Sequence, residues 1–241
     1  MSEIYRHLDK EEFDDITTRI LYEDNHLLIF NKRSGEIVQG DKTEDEPLPE
    51  KLKAYIAQRD NKPSRVFMGV PHRLDRPVSG IVVLAKTSKA LQRMSEQFRD
   101  GEVSKFYWAL VEKSPEPEQG EIKSYLLRNE KQNKSYIVPE GTANAKLAIL
   151  DYKLIGRSAG GYSLLEVELH TGRHHQIRTQ LAGIGCPIRG DLKYGYQRSN
   201  TDGSISLHAR KLSFIHPIKK ELIELEADVP NTDNLWKAFD L

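Results

Sequence analysis

The chain has 241 residues and carries 36 Lys and Arg against 36 Asp and Glu, so its formal net charge is zero. That length suits one large domain or two small ones, and no run approaches the ~18 consecutive apolar residues of a membrane span. The single cysteine, Cys186, excludes an internal disulfide and a Cys-rich zinc site; with a polar, acidic N-terminus unlike a signal or transit peptide, the expectation is a cytoplasmic protein without membrane contact.

The neutrality is uneven along the chain. Residues 61–100 hold 8 Lys and Arg against 3 Asp and Glu, a net +5, and residues 171–220 hold 9 against 2, a net +7. Both basic windows contain unusual loops, a pattern that fits a positive cleft for a polyanion such as nucleic acid.

In chain order, residues 1–17 read as an N-terminal extension and 18–241 as a single domain. "ITTRILYEDNHLLIFNKRSGEIVQ" reads as a strand hairpin, with turns at Asp24-Asn25 and Ser34-Gly35. Leu52, Tyr55 and Ile56 then recur at helical spacing. "GVPHRLDRPVSGIVVLAKTSKA" is a bent, cationic loop running into an apolar strand, Gly80 to Ala85. The helix after it is capped by Thr87 or Ser88, buries Leu91, Met94 and Phe98, and stops at Gly101. "EVSKFYWALVE" is a strand with Phe106, Trp108 and Leu110 on one face and Lys105, Tyr107, Ala109 and Val111 on the other. A hairpin turning at Ser158–Gly161 follows. "RHHQIRTQLAGIG" reads as a short helix with Ile177, Leu181 and Ile184 inward. "ISLHARKLSFIHP" and "KELIELEADVP" form a last hairpin. Adjacent hairpins with a few helices predict an α+β fold, a mostly antiparallel mixed sheet flanked by helices.

Three stretches carry chemistry. Asp75 sits among His72, Arg73 and Arg76, with Pro71, Pro77 and Gly80 bending the backbone. The ordinary reading is a cap or a surface ion pair. Cations and rigid residues this dense favour instead a fixed, ionised carboxylate, fit to act as nucleophile, electrostatic stabiliser or base. In "HTGRHHQIRTQL", His174 and His175 lie four and three positions before Arg178, so all three read as neighbours on the helix surface. Adjacent histidines diverge on a helix and no second ligand cluster accompanies them, so no metal site is expected. A phosphate-binding helix start with Arg173 and His175 fits better. Tyr107 reads either as a core aromatic or as a buried phenol able to stack on a base. Phosphate loop, dinucleotide fingerprint and serine elbow are all lacking from the sequence, so no cofactor is expected.

Taken together these segments resemble the RluA-type RNA pseudouridine synthases. "PHRLDRPVSG" is similar to that family's catalytic loop, "SKFYWALVE" to its tyrosine strand, "HTGRHHQIRTQLAGIGCPIRGDLKYG" to its TGR–HQIR–GD–YG segment, and "LHARKLSFIHP" to its LHA strand. The matches run in order over roughly residues 18–230. The resemblance implies a central RNA-binding cleft and isomerisation of uridine in ribosomal or transfer RNA to pseudouridine, without metal or cofactor. Asp75 would be the essential aspartate and Tyr107 the active-site tyrosine. Arg178 would be the basic residue that pairs with Asp75. Arg73 would bind RNA with its neighbours His72 and Arg76, and Leu207 would line the uracil pocket. Departures are Pro77-Val78 in the loop, "NKRSG" for NKP-x-G, and Gln180 for the usual His. With fewer than 20 residues ahead of the matched region, the S4 RNA-binding module of many relatives is expected to be missing. A monomer is expected, as is an Arg178→Leu variant that loses turnover but keeps its fold. Two other readings are an inert RNA-binding protein of the same fold and an N-glycosidase that would release free uracil.

Overall fold

The computed structural model describes residues 5–40, 44–62, 64–231 and 233–239. The chain divides into two compact units. One takes the chain up to Val103 together with Ser213–Asp228; the other takes Ser104–Leu212 and the residues from Val229 on.

The first unit opens with helix α1, Lys10–Thr18, in the stretch read from sequence as an extension. Asp9 caps it by accepting from the Glu12 amide at 2.8 Å. Strands β1 (Ile20–Glu23), β2 (Leu27–Lys32) and β3 (Ser79–Ala85) pair antiparallel in that order. Phe30 lies opposite Val82 and Ile29 opposite Val83. Every residue of β3 is buried, which explains its unbroken apolar run: a strand covered on both faces has no polar side to alternate with. Each such Val, Leu or Ile contributes on the order of 1.5–3 kcal/mol. Helix α2 (Leu48–Arg59) buries Leu52, Tyr55 and Ile56, as their spacing predicts. Helix α3 (Ser88–Asp100) begins at Thr87, whose side chain accepts from the Ala90 amide, and ends at Gly101 in the left-handed conformation, φ 78°.

The second unit is built on β4 (Ser104–Val111), β5 (Gln119–Asn129), β6 (Lys134–Val138), β7 (Lys146–Arg157) and β8 (Ser163–Leu169). They lie in the order β4-β8-β7-β5-β6, every neighbour antiparallel. The β5–β6 hairpin carried no signal in the sequence reading. Trp108 and Leu110, on one face of β4, pack with Leu164, Trp236 and Phe239. Helix α4 is Gln176–Gly183. Strand β9 (Leu207–Ile215) starts in this unit and ends in the other, where β10 (Leu222–Glu226) pairs with it. The α+β class and the antiparallel hairpins expected from sequence are what the chain forms. Among the described residues no helix is long and apolar enough to cross a membrane.

Candidate active site

The loop that carries Asp75 is pinned to the first unit at both ends. On its N-terminal side Gly69 bridges to Ala85, donating and accepting at 2.7 and 2.9 Å. Three residues later the His72 ring stacks on Phe98 at 4.1 Å between centroids. Its Nε2 accepts the Val83 amide at 2.8 Å, so that nitrogen carries no proton. His72 therefore ties the loop to β3 and α3 as a neutral ring. Past it, the Val78 amide closes a turn on the Asp75 carbonyl at 3.0 Å. Asp75 itself is half-buried. Arg73 and Arg76 are exposed; Arg73 donates to Gln39 Oε1 at 2.9 Å, and Arg76 pairs with Asp45 at 2.7 Å.

Beneath this turn lies a residue that sequence reasoning passed over. Lys32, at the end of β2, is fully buried. Its ammonium donates to the carbonyls of Arg33 (2.8 Å), Arg76 (3.2 Å) and Val78 (2.6 Å). Three donors meet three acceptors, and two of those acceptors, on Arg76 and Val78, belong to the turn that starts at Asp75. Burial lowers the Lys32 pKa to about 7, partly offset by the carboxylates of Glu36 and Asp75.

In the second unit Tyr107 is half-buried on β4, opposite Val167. Lys105, two residues earlier, is buried, and among the described residues no acceptor or carboxylate meets its ammonium; desolvation alone lowers its pKa. Leu207 opens β9 and is buried. Arg173 is exposed, its Nε donating to the Leu147 carbonyl at 2.8 Å.

The start of α4 differs from its sequence reading. His174 and His175 precede the helix, and His175 takes the left-handed conformation, φ 53°. The two imidazoles consequently stack on each other, with centroids 3.8 Å apart, rather than sharing a helix face with Arg178. His175 is buried, and its Nδ1 meets the Tyr194 hydroxyl at 2.9 Å. That hydroxyl also accepts the Ser135 amide at 2.8 Å, so Tyr194 ties His175 to β6. Burial and the nearby Arg178 push the His175 pKa down to about 2. His175 is thus a neutral anchor for Tyr194, not a cation held out to phosphate. Ile184, read as inward, is the C-cap of the helix and 40% exposed.

Arg178 forms a buried two-pronged pair with Asp191: Nε to Oδ2 at 2.7 Å and Nη2 to Oδ1 at 2.9 Å. Their side chains are 6% and 1% exposed. The Tyr194 ring lies 5.1 Å from the same guanidinium. Removing the arginine would leave a buried carboxylate without its partner, which is strongly destabilising; the expectation that Arg178→Leu spares the fold is therefore corrected. Asp191 was the signal available in sequence, standing in "RGDLKYG" with no evident partner. Gly190 before it has φ +86°, and a Cβ there would lie 2.7 Å from the Ser204 carbonyl oxygen, so only glycine fits.

One ligand-type cluster was not foreseen. Half-buried Asp151 and Glu168 and exposed His170 place their ligand atoms within 4.8 Å of one another in the second unit, and none is a predicted site residue.

The predicted loop residues thus gather in one unit and the remaining site residues in the other. Residues 26–183 match the family model for RNA pseudouridylate synthase. The chain belongs to the RNA pseudouridylate synthase family. It is 33% identical over 230 residues to ribosomal large subunit pseudouridine synthase D of Zymomonas mobilis, covering 91% of this chain and 71% of that protein. Ribosomal large subunit pseudouridine synthase C of Vibrio cholerae is also 33% identical, over 86% of this chain and 64% of its own length. Among solved structures, human RNA pseudouridylate synthase domain containing 4 aligns with a TM-score of 0.76 at 25% identity, covering 91% of this chain and 92% of that one.

An RNA pseudouridine synthase of the RluA type is an isomerase, and its departures from the family pattern now have structural readings. Val78 is a core residue, 3% exposed, whose amide closes the Asp75 turn and whose carbonyl takes the Lys32 ammonium. Pro77-Val78 therefore preserves the turn. Gln180, in place of the usual His, is fully buried, and its Nε2 donates to the Ile122 carbonyl, Ser124 Oγ and the Ala148 carbonyl, stitching α4 to β5 and β7.

Proposed function

We propose that this enzyme isomerises a uridine of large-subunit ribosomal RNA, with Asp75 as the essential carboxylate and the target nucleotide flipped out of its helix. The ribosomal substrate is supported by relatives such as those of Zymomonas mobilis and Vibrio cholerae, whose names specify the large subunit. The observation that carries the role of Asp75 is its mounting. A half-buried carboxylate begins a turn fastened by Lys32, by the Gly69–Ala85 bridge and by His72, a preorganised position of the kind catalysis requires.

The reaction balances without a co-reactant. The N1–C1′ bond breaks, C5 bonds to C1′, and the proton leaves C5 as one returns to N1. Asp75 answers the change at the sugar, Tyr107 packs on the uracil and takes the C5 proton, and Arg178, oriented by Asp191, is the basic residue of the reaction. Leu207 gives the base an apolar wall. Arg73, Arg76 and Arg173, all exposed, grip phosphates and offset the few kcal/mol of flipping. His72 and His175 act by holding the loop and Tyr194 in place.

The test is direct. An unmodified large-subunit transcript and a transfer RNA pool are each incubated with the protein and mapped for pseudouridine. We expect product in the ribosomal transcript, and none with Asp75→Ala at unchanged circular dichroism. Product in transfer RNA alone would overturn the substrate assignment. Undiminished product from Asp75→Ala would overturn the role of the carboxylate, and free uracil would mark a glycosidase.

A further inference from the structure

The two buried lysines are treated oppositely by their surroundings. Lys32 has a carbonyl for each of its three protons. Lys105 is 8% exposed, yet among the described residues no hydrogen bond or ion pair satisfies it. Its ammonium is not among the fully buried unsatisfied polar atoms, so its tip still meets solvent, but covering most of a cation with no anion beside it costs free energy. Proteins retain such a group where a ligand supplies the partner.

Strand geometry says which ligand. The carboxylates across the β4–β8 pair, Glu168 and Glu166, lie opposite Phe106 and Trp108, so they occupy the other face and cannot serve Lys105. Tyr107 is on the same face as Lys105, about 6.7 Å along the strand. That separation is comparable to the span from a nucleotide's base to its own phosphate. A base packed on Tyr107 thus brings its sugar-phosphate, and not another base edge, toward Lys105.

We propose that Lys105 is an anion-binding residue that receives a backbone phosphate of the flipped nucleotide whose uracil packs on Tyr107. The assignment rests on the proposed RNA substrate. Its chemistry is a single ammonium–phosphate pair, formed where little water competes and therefore stronger than a contact at the rim. The largely covered cation has no anionic partner until the right strand arrives, which makes the contact a check on nucleotide placement as well as a source of affinity.

The experiment uses the full chain as wild type, Lys105→Met and Lys105→Arg, with an unmodified large-subunit ribosomal transcript. Filter binding is followed from 50 to 400 mM KCl, alongside initial rates of pseudouridine formation and thermal melts. For Lys105→Met we expect the slope of log affinity against log salt to become shallower by about 0.7–0.9, the loss of one phosphate contact. KM should rise roughly tenfold or more, the loss falling on KM rather than kcat, and the melting temperature should not fall, because a largely covered cation with no anionic partner has been removed. Lys105→Arg should restore the wild-type slope. An unchanged slope, or a loss confined to kcat, overturns the proposal; so does a lowered melting temperature with a wild-type slope, which marks a structural lysine. If the wild type binds this transcript without modifying it, the proposed substrate fails, while the slope change still decides the role of Lys105.

Discussion

Lys32 gives the sharpest test of how the catalytic loop is held. Its pKa is lowered from 10.5 to about 7 by burial, a difference worth about 5 kcal/mol when fully expressed. Above pH 10.5 the amine is neutral in both the folded and the unfolded chain. As pH falls toward 7, only the unfolded chain takes up the proton, so stability is lost down that window and gained on the way up. Between pH 6 and 9 the wild type should therefore gain about 3 kcal/mol that a Lys32→Met variant does not. The variant also removes the donor to the carbonyls of Arg33, Arg76 and Val78, two of which the neutral amine can serve at pH 9, at a cost of about 1–3 kcal/mol each. It should be the less stable protein at pH 9, with the difference narrowing toward pH 6. Urea unfolding followed by tryptophan fluorescence at half-unit steps of pH measures both curves. Parallel curves for the two proteins would refute the placement of a titrating lysine beneath the Asp75 turn.

Three further outcomes follow from other parts of the molecule. Asp191→Asn removes the negative charge from the buried bidentate pair with Arg178 and should cost about 3–5 kcal/mol in unfolding free energy; a loss below about 1 kcal/mol would show that the charge of Asp191 is not what holds the arginine. His175, with its pKa depressed to about 2, contributes stability above pH 6.5 that is lost as pH falls, about 3 kcal/mol between pH 7 and 4.5. A His175→Gln variant should lose that acid sensitivity, as read from its melting temperature across the same range. Gly190→Ala sets a Cβ 2.7 Å from the Ser204 carbonyl oxygen at a φ of +86°, and chemical denaturation should show a loss of at least about 1–3 kcal/mol.

Sequence by itself determined whatever rests on short-range signals. The apolar run of β3, the capped helix α3 from Thr87 to Gly101, the alternating faces of β4 and the motifs around Asp75, Tyr107 and Arg178 were all legible, because periodicity, caps and turns act over a few residues. Family membership was legible for the same reason, since its motifs are contiguous. Tertiary structure alone decided who partners whom. It gave Arg178 to Asp191, 13 positions on, and the Lys32 ammonium to a carbonyl 46 positions away. It turned His175 into a left-handed helix cap, a conformation that no spacing rule for helices anticipates. It also left Lys105 buried without such a partner among the described residues. These outcomes depend on which buried donors and acceptors packing brings within 3 Å of one another. The cost of leaving a charge unsatisfied is settled only when the whole chain has folded around it.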